Sequence, residues 1–317
     1  MCVICKCNGD YQRLMGCQKI NCKCNGDCQR LRGWQEIICE NCPELTEVPY
    51  IEGLEHLLCS NCPKLTQIPQ IKGLQELRFW NCTELTQIPH IEGLEWLWCS
   101  NCPGLTHIPQ IKGLKKLYCV DCSGLTEIPH IKGLQELNCW NCTGLTEIPQ
   151  IEGLQVLDCN DCSGLTEIPH IEGLRRLDCA YCLRLTRIPH IKGLQVLSCH
   201  SCPGLTRTPY IEGLQVLYCW DCLGLTEIAH IKGLRVYGRN CPRLISGPPG
   251  TLRQVNLREN LQRVKKRLRD IICTLQVFCE EQRFPIHEFP DSLQIGTLKT
   301  LEQVFGTTAV QRCMIQQ

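Results

Sequence analysis

Aromatic side chains are scarce in this chain, 6% of 317 residues, with six Trp, seven Tyr and five Phe. So few tryptophans make their placement informative. Charge of one sign is lacking as well. Lys and Arg number 33 against 32 Asp and Glu, a formal net charge of +1, which argues against a whole-molecule field that would draw the chain to nucleic acid or a membrane surface. No apolar run approaches the roughly 20 residues that a membrane-spanning helix needs. The opening MCVICKCNGD has no apolar centre of the kind a secretory signal carries. These absences predict a soluble, non-secreted protein in an intracellular, reducing compartment. A phosphate loop, a paired-carboxylate site and a nucleophile triad are missing too, so the sequence offers neither an enzyme nor a cofactor.

What is abundant is repetition. The twenty-residue phrase LEWLWCSNCPGLTHIPQIKG, Leu94 to Gly113, returns with little slippage at Leu54, Leu74, Leu114, Leu134, Leu154, Leu174, Leu194 and Leu214. Its template is Leu at positions 1 and 4, Cys at 6 and 9, Leu-Thr at 12 and 13, Ile-Pro at 15 and 16, Ile at 18 and Gly at 20. A period of this length means a solenoid, in which one unit cannot bury its own apolar side and stability belongs to the stack. Apolar positions 1, 4 and 6 with outward positions 2, 3 and 5 predict a short strand. Proline at position 16, as in Pro89, Pro109 and Pro129, forbids an ordinary helix on the return path. The outer wall is therefore expected to be extended. Position 19 mostly alternates in sign, through Glu52, Lys72, Glu92 and Lys112, then Lys132, Glu152, Glu172, Lys192, Glu212 and Lys232, which predicts a surface charge ladder that helps register more than stability.

The LxxLxC and CxxL spacings, with the IPxI segment Ile108, Pro109 and Ile111, resemble the leucine-rich repeat. The Cys-xx-Leu step is similar to the cysteine-containing type. The twenty-residue length is similar to the short repeats of effectors from pathogenic bacteria, and Cys-rich arrays of this kind also occur in large DNA viruses of amoebae. The resemblance implies a β-rich α/β solenoid: a horseshoe with a parallel concave sheet, an extended convex side and a helical C-terminal cap. It implies a protein-interaction surface on the concave face, in a host cytoplasm or in a virus particle if the source is viral. Some effectors of this kind carry a ubiquitin-ligase domain with a catalytic cysteine after the repeats, and the tail here is too short for that domain.

Three segments are expected. Residues 1–38 hold short degenerate repeats, 39–250 the solenoid, and 251–317 a helical module. Of thirty cysteines, nineteen fall at positions 6 or 9 between Cys39 and Cys222. Periodicity explains them as volume-filling core residues, because Phe79 replaces one without disturbing its repeat. Reduced thiols are the expectation, although neighbours one strand apart lie within disulfide range. The crowded Cys2, Cys5, Cys7, Cys17, Cys22, Cys24 and Cys28 suit a zinc knot or truncated repeats. Tandem alignment of residues 5–21 with 22–38 favours truncated repeats, with Cys22 and Cys39 sharing position 6. The first strand has no cap ahead of it, so a partner, a second copy or the charges of Lys6, Asp10 and Arg13 must blunt its edge.

Beyond Thr251 the pattern changes. Leu257, Leu261, Val264, Leu268, Ile271 and Leu275 step by fours and threes, which reads as a helix over 251–282 with a self-association seam. Its basic outer face reads as solvated. Position-17 histidines, His90, His130, His170, His190 and His230, alternate with Gln and Tyr and read as a polar surface column, with no metal site assigned. The predicted partner-binding residues are the outward aromatics Trp80, Trp96, Trp98, Tyr118 and Trp140, joined by Tyr218 and Trp220, with Arg175, Arg176 and Asp178 as a polar flank. The functional expectation is a non-enzymatic protein-interaction scaffold. The alternative is a structural component of a large assembly or virus particle.

Overall fold

The computed structural model describes residues 35–248 and the backbone of Lys19–Cys22. Trp34, the remaining N-terminal cysteines and the helix expected over 251–282, with its Leu257 to Leu275 seam, lie outside the described residues.

Strand succeeds strand at the repeat spacing: β1 (Lys19–Cys22), β2 (Glu36–Glu40), β3 (His56–Ser60), β4 (Glu76–Trp80), β5 (Trp96–Ser100) and β6 (Lys116–Val120). Then follow β7 (Glu136–Asn138), β8 (Val156–Asp158), β9 (Arg176–Asp178), β10 (Val196–Ser198), β11 (Val216–Tyr218) and β12 (Arg235–Tyr237). They form one parallel sheet in sequence order. Register never slips, because shifting a strand by one residue would turn its leucines to water. Leu97 pairs with Leu117 and Cys99 with Cys119, and at the N-terminal end Ile20 pairs with Ile37 and Cys22 with Cys39. That last pairing is the one the tandem alignment implies.

Each full turn sends seven apolar side chains inward. In the repeat from Leu94 these are Leu94, Leu97, Cys99, Cys102, Leu105, Ile108 and Ile111, all between 0% and 4% exposed. At roughly 1.5–3 kcal/mol for a fully buried Leu or Ile, stacking these columns is the main source of stability. The outer wall contains no helix among the described residues. Turns and extended segments fill it, with isolated parallel bridges such as Glu47 to Gln67 and Arg207 to Glu227. Proline at position 16 therefore has the effect expected of it.

The eighteen cysteines from Cys59 to Cys241 are buried free thiols, and Cys39 and Cys42 are buried as well. Position-9 thiols donate to the carbonyl of position 6 in the preceding turn, Cys142 to Cys119 at 2.7 Å and Cys162 to Cys139 at 3.0 Å. Position-6 thiols donate to the following strand, Cys119 to the Asn138 carbonyl at 3.5 Å. The cysteines thus fill space and occupy backbone acceptors between turns. Burial pushes the ionisation of several of them up, Cys102 to about 12, so these remain protonated near neutral pH, whereas a hydrogen bond with Cys99 lowers Cys122.

Position 8, which the repeat template leaves open, is a turn residue held in the left-handed region, with φ from 50° to 58° between Asn41 and Asn240. Asn and Asp tolerate that conformation better than other residues with a Cβ, which is why they recur there. Their side chains also form a ladder. Asn61 donates to Asn41 at 2.9 Å, Asn81 to Asn61 at 2.8 Å and Asn141 to Asp121 at 2.7 Å. One sequence expectation needs correction, the position-19 charge ladder. No position-19 ion pair forms among the described residues. Cross-turn pairs occur instead at position 11 (Lys64 to Glu44, 2.7 Å), position 2 (Lys115 to Glu95, 2.7 Å), position 14 (Arg187 to Glu167, 2.8 Å) and position 3 (Lys116 to Glu136, 3.0 Å).

Candidate protein-binding face

Two columns of side chains project from the solvent-facing side of the sheet, positions 3 and 5. The in-register stack puts a residue twenty later beside each one, about 4.8 Å away. Between β5 and β9 these columns shape a shallow groove of about 510 Å³. Trp96, Trp98 and Tyr118 form one end, Asn138 and Asp158 the middle, and Arg176 with Asp178 the other end.

The aromatic end is tightly organised. Tyr118 meets Trp98 edge-on at 5.4 Å between ring centroids and Trp96 at 6.1 Å, arrangements that the ring quadrupole favours. The Arg78 guanidinium lies 4.7 Å from the Trp96 ring centroid and the Lys116 ammonium 5.3 Å, so this indole is held by two cations. Its buried Nε1 has no acceptor among the described residues, a cost of about 1–3 kcal/mol. The Tyr118 hydroxyl donates to Glu136. Burial, followed by that carboxylate, pushes the tyrosine up to about 12, while the same bond holds Glu136 below its ordinary range.

The polar end is built on neighbouring carboxylates. Asp158 and Asp178 are register partners in β8 and β9. Arg176 Nε donates to Asp178 Oδ2 at 2.6 Å, and Asp178 is only 6% exposed. Asp158 accepts the Asn160 backbone N–H at 3.2 Å and a long contact from Asn138 at 3.4 Å, and it makes no ion pair among the described residues. Burial and the Asp178 charge raise its pKa, against the opposing pull of the Asn160 N–H and Arg176.

Not every predicted residue joins this groove. Trp80 (58% exposed), the last residue of β4, and Trp140 (41% exposed), two residues beyond β7, occupy position 7 outside the groove lining, and the Trp140 indole N–H donates to Asp161 at 3.0 Å. Arg175 occupies position 2, outside the groove lining. Tyr218 and Trp220 belong to a separate cluster. Tyr218 stacks on Tyr237 at 5.2 Å and lies 5.6 Å from Trp220, which is followed by His200 at 5.3 Å and, beyond it, Tyr181 at 5.1 Å from His200. Burial lowers the His200 pKa. Sequence reasoning passed over Tyr181, His200 and Tyr237. The available signal was their departure from the residues usual at positions 5, 7 and 8, combined with adjacency across strands. Glu136, Asn138 and Asp158 were also missed, because short polar residues at an outward position look like ordinary solvated surface. The position-17 histidines are exposed as expected, and no group of three or more His, Cys, Asp or Glu among the described residues is arranged to hold a metal.

A parallel one-strand-per-turn solenoid with columns of Leu, Ile and Cys inside is the architecture of a leucine-rich-repeat protein. The chain is similar to the leucine-rich repeat domain of the type III effector XopL, with a TM-score of 0.50 and 19% identity over 68% of this chain and 77% of that one. A leucine-rich repeat protein from Bacteroides ovatus also matches, with a TM-score of 0.37 and 16% identity over 71% of this chain and 80% of that one. No protein-family model and no curated protein matches the sequence.

Proposed function

We propose that the chain is a non-enzymatic protein-interaction scaffold that takes a partner on the solvent-facing side of its sheet, expected to be the concave face, across β5 to β9. The observation that carries this reading is the clustering of Trp96, Trp98 and Tyr118 along one groove with Arg176 and Asp178 at its far end. Trp, Tyr and Arg dominate interface hot spots, because the rings bury large areas at small entropic cost and all three add directional contacts. The buried columns are held constant from turn to turn while positions 3 and 5 vary, so surface can change without disturbing the fold.

The test is co-purification by the tagged full chain, with Trp98→Ala and Tyr118→Ala as variants. Both rings lie outside the buried columns, so circular dichroism should be unchanged. Partner recovery should fall at least tenfold for each variant. Undiminished recovery would remove this face from consideration.

A further inference from the structure

The groove combines an aromatic wall with a carboxylate that makes no ion pair among the described residues. Down position 5 the side chains run Trp98, Tyr118, Asn138, Asp158 and Asp178, each beside the next in register. Two rings give way to two short polar groups, and the surface steps down over β7 and β8. The distance from the strand of Tyr118 to that of Asp158 is two strand spacings, about 10 Å, bridged only by Asn138. Charges elsewhere in the groove are paired. Lys116 meets Glu136 at 3.0 Å, and Arg176 meets Asp178 at 2.6 Å. Asp158 is the remainder, a half-buried carboxylate with two hydrogen bonds, one of them 3.4 Å long.

A half-buried charge without a partner is costly to hold, and an arriving cation recovers that cost. Rings on one side and an anion on the other suit a guanidinium, which is planar, weakly hydrated, stacks on aromatic faces and bonds carboxylates through two N–H groups. The same surface already shows the preference internally, since Arg78 lies over Trp96. Resting on the proposed binding face, we infer that the step between Tyr118 and Asp158 is a recognition slot for an exposed arginine of the partner protein. Its side chain lies over Asn138, stacks against the Trp98 and Tyr118 wall and places its guanidinium on Asp158.

The experiment uses the full chain under reducing conditions with Nα-acetyl-arginine amide as probe. Nα-acetyl-citrulline amide, nearly isosteric and uncharged, is the control. Binding is read from the tryptophan indole ¹H–¹⁵N resonances. The arginine probe should shift the Trp98 resonance saturably, with a Kd at least tenfold below that of citrulline. Asp158→Asn should erase the difference while leaving the other indole resonances in place. Asn138→Leu, which fills the step, keeps the carboxylate and removes only its long 3.4 Å contact, should do the same by a second route. Equal response to the two probes, or discrimination that survives Asp158→Asn, overturns the slot. Should the probes fail to discriminate while Trp98→Ala still abolishes partner recovery, only the arginine inference falls. Should Trp98→Ala leave partner recovery intact, the binding face itself falls.

Discussion

Raising the pH from 8 to 10 under reducing conditions should unfold the repeat array. The cause lies in the stacked thiols. Cys102, Cys199 and Cys241 are pushed up to about 12 and Cys62 to about 11, whereas in an unfolded chain a cysteine ionises near pH 9. A thiol whose folded pKa is raised keeps its full contribution below the unfolded value and loses it as pH climbs toward the folded one. At pH 10 the unfolded chain gains about 1.4 kcal/mol per such cysteine by releasing a proton that the folded chain retains. Those four thiols alone remove about 5 kcal/mol, against a total stability of about 5–15 kcal/mol for a typical domain. The other raised thiols, Cys139 and Cys179 among them, act in the same direction. The assay is urea unfolding followed by circular dichroism at half-unit pH steps with a phosphine reductant. Cys102→Ala serves as a control that should flatten the pH dependence by about 1.4 kcal/mol at pH 10. An unfolding midpoint unchanged between pH 8 and 10 would refute the picture of buried, protonated thiols.

Phe79 is 1% exposed in a slot that other turns give to cysteine, so Phe79→Cys should lose roughly 2–4 kcal/mol to the cavity it leaves, read as a drop in urea midpoint. Asn81 sits at φ 56° and donates to Asn61. Asn81→Val should cost about 1–3 kcal/mol, with Asn81→Gly losing much less, because glycine accepts the backbone angle and forfeits only the side-chain hydrogen bonds to Asn61 and from Asn101. A Cβ at Gly124 would stand 2.2 Å from the Pro103 carbonyl oxygen, so Gly124→Ala should lower the thermal midpoint by displacing backbone. Gly133→Ala should lower it for a different reason, since there is open space but φ is +84°. Glu44, Lys64 and Arg184 stand at the position equivalent to Gly124, and a neutral Gly124→Ala would mean that this turn shifts as easily as theirs.

Much of the fold was legible in the repeat. Leucine at every twentieth residue can be buried only if each turn lies on the last in register, and Leu97 opposite Leu117 follows from that requirement alone. Proline at position 16 likewise removed helix from the outer wall in advance. The left-handed turn at position 8 was written in the run of Asn41, Asn61, Asn81 and Asn101, but it was hidden beside variable neighbours and by Tyr181 and Ser201, which hold the same conformation without an amide.

By itself, then, the sequence determined which side chains are buried, because hydrophobic burial follows periodicity and a solenoid makes each column repeat its neighbour. It also determined that Trp96, Trp98 and Tyr118 would face outward. Only the tertiary structure decided which outward groups meet and which do not: that Arg78 covers Trp96, that Tyr118 bonds Glu136, and that Asp158 is left over. Surface side chains choose partners by length, lean and charge across three or four strands at once. Those choices depend on neighbours twenty and forty residues away, which no single repeat encodes.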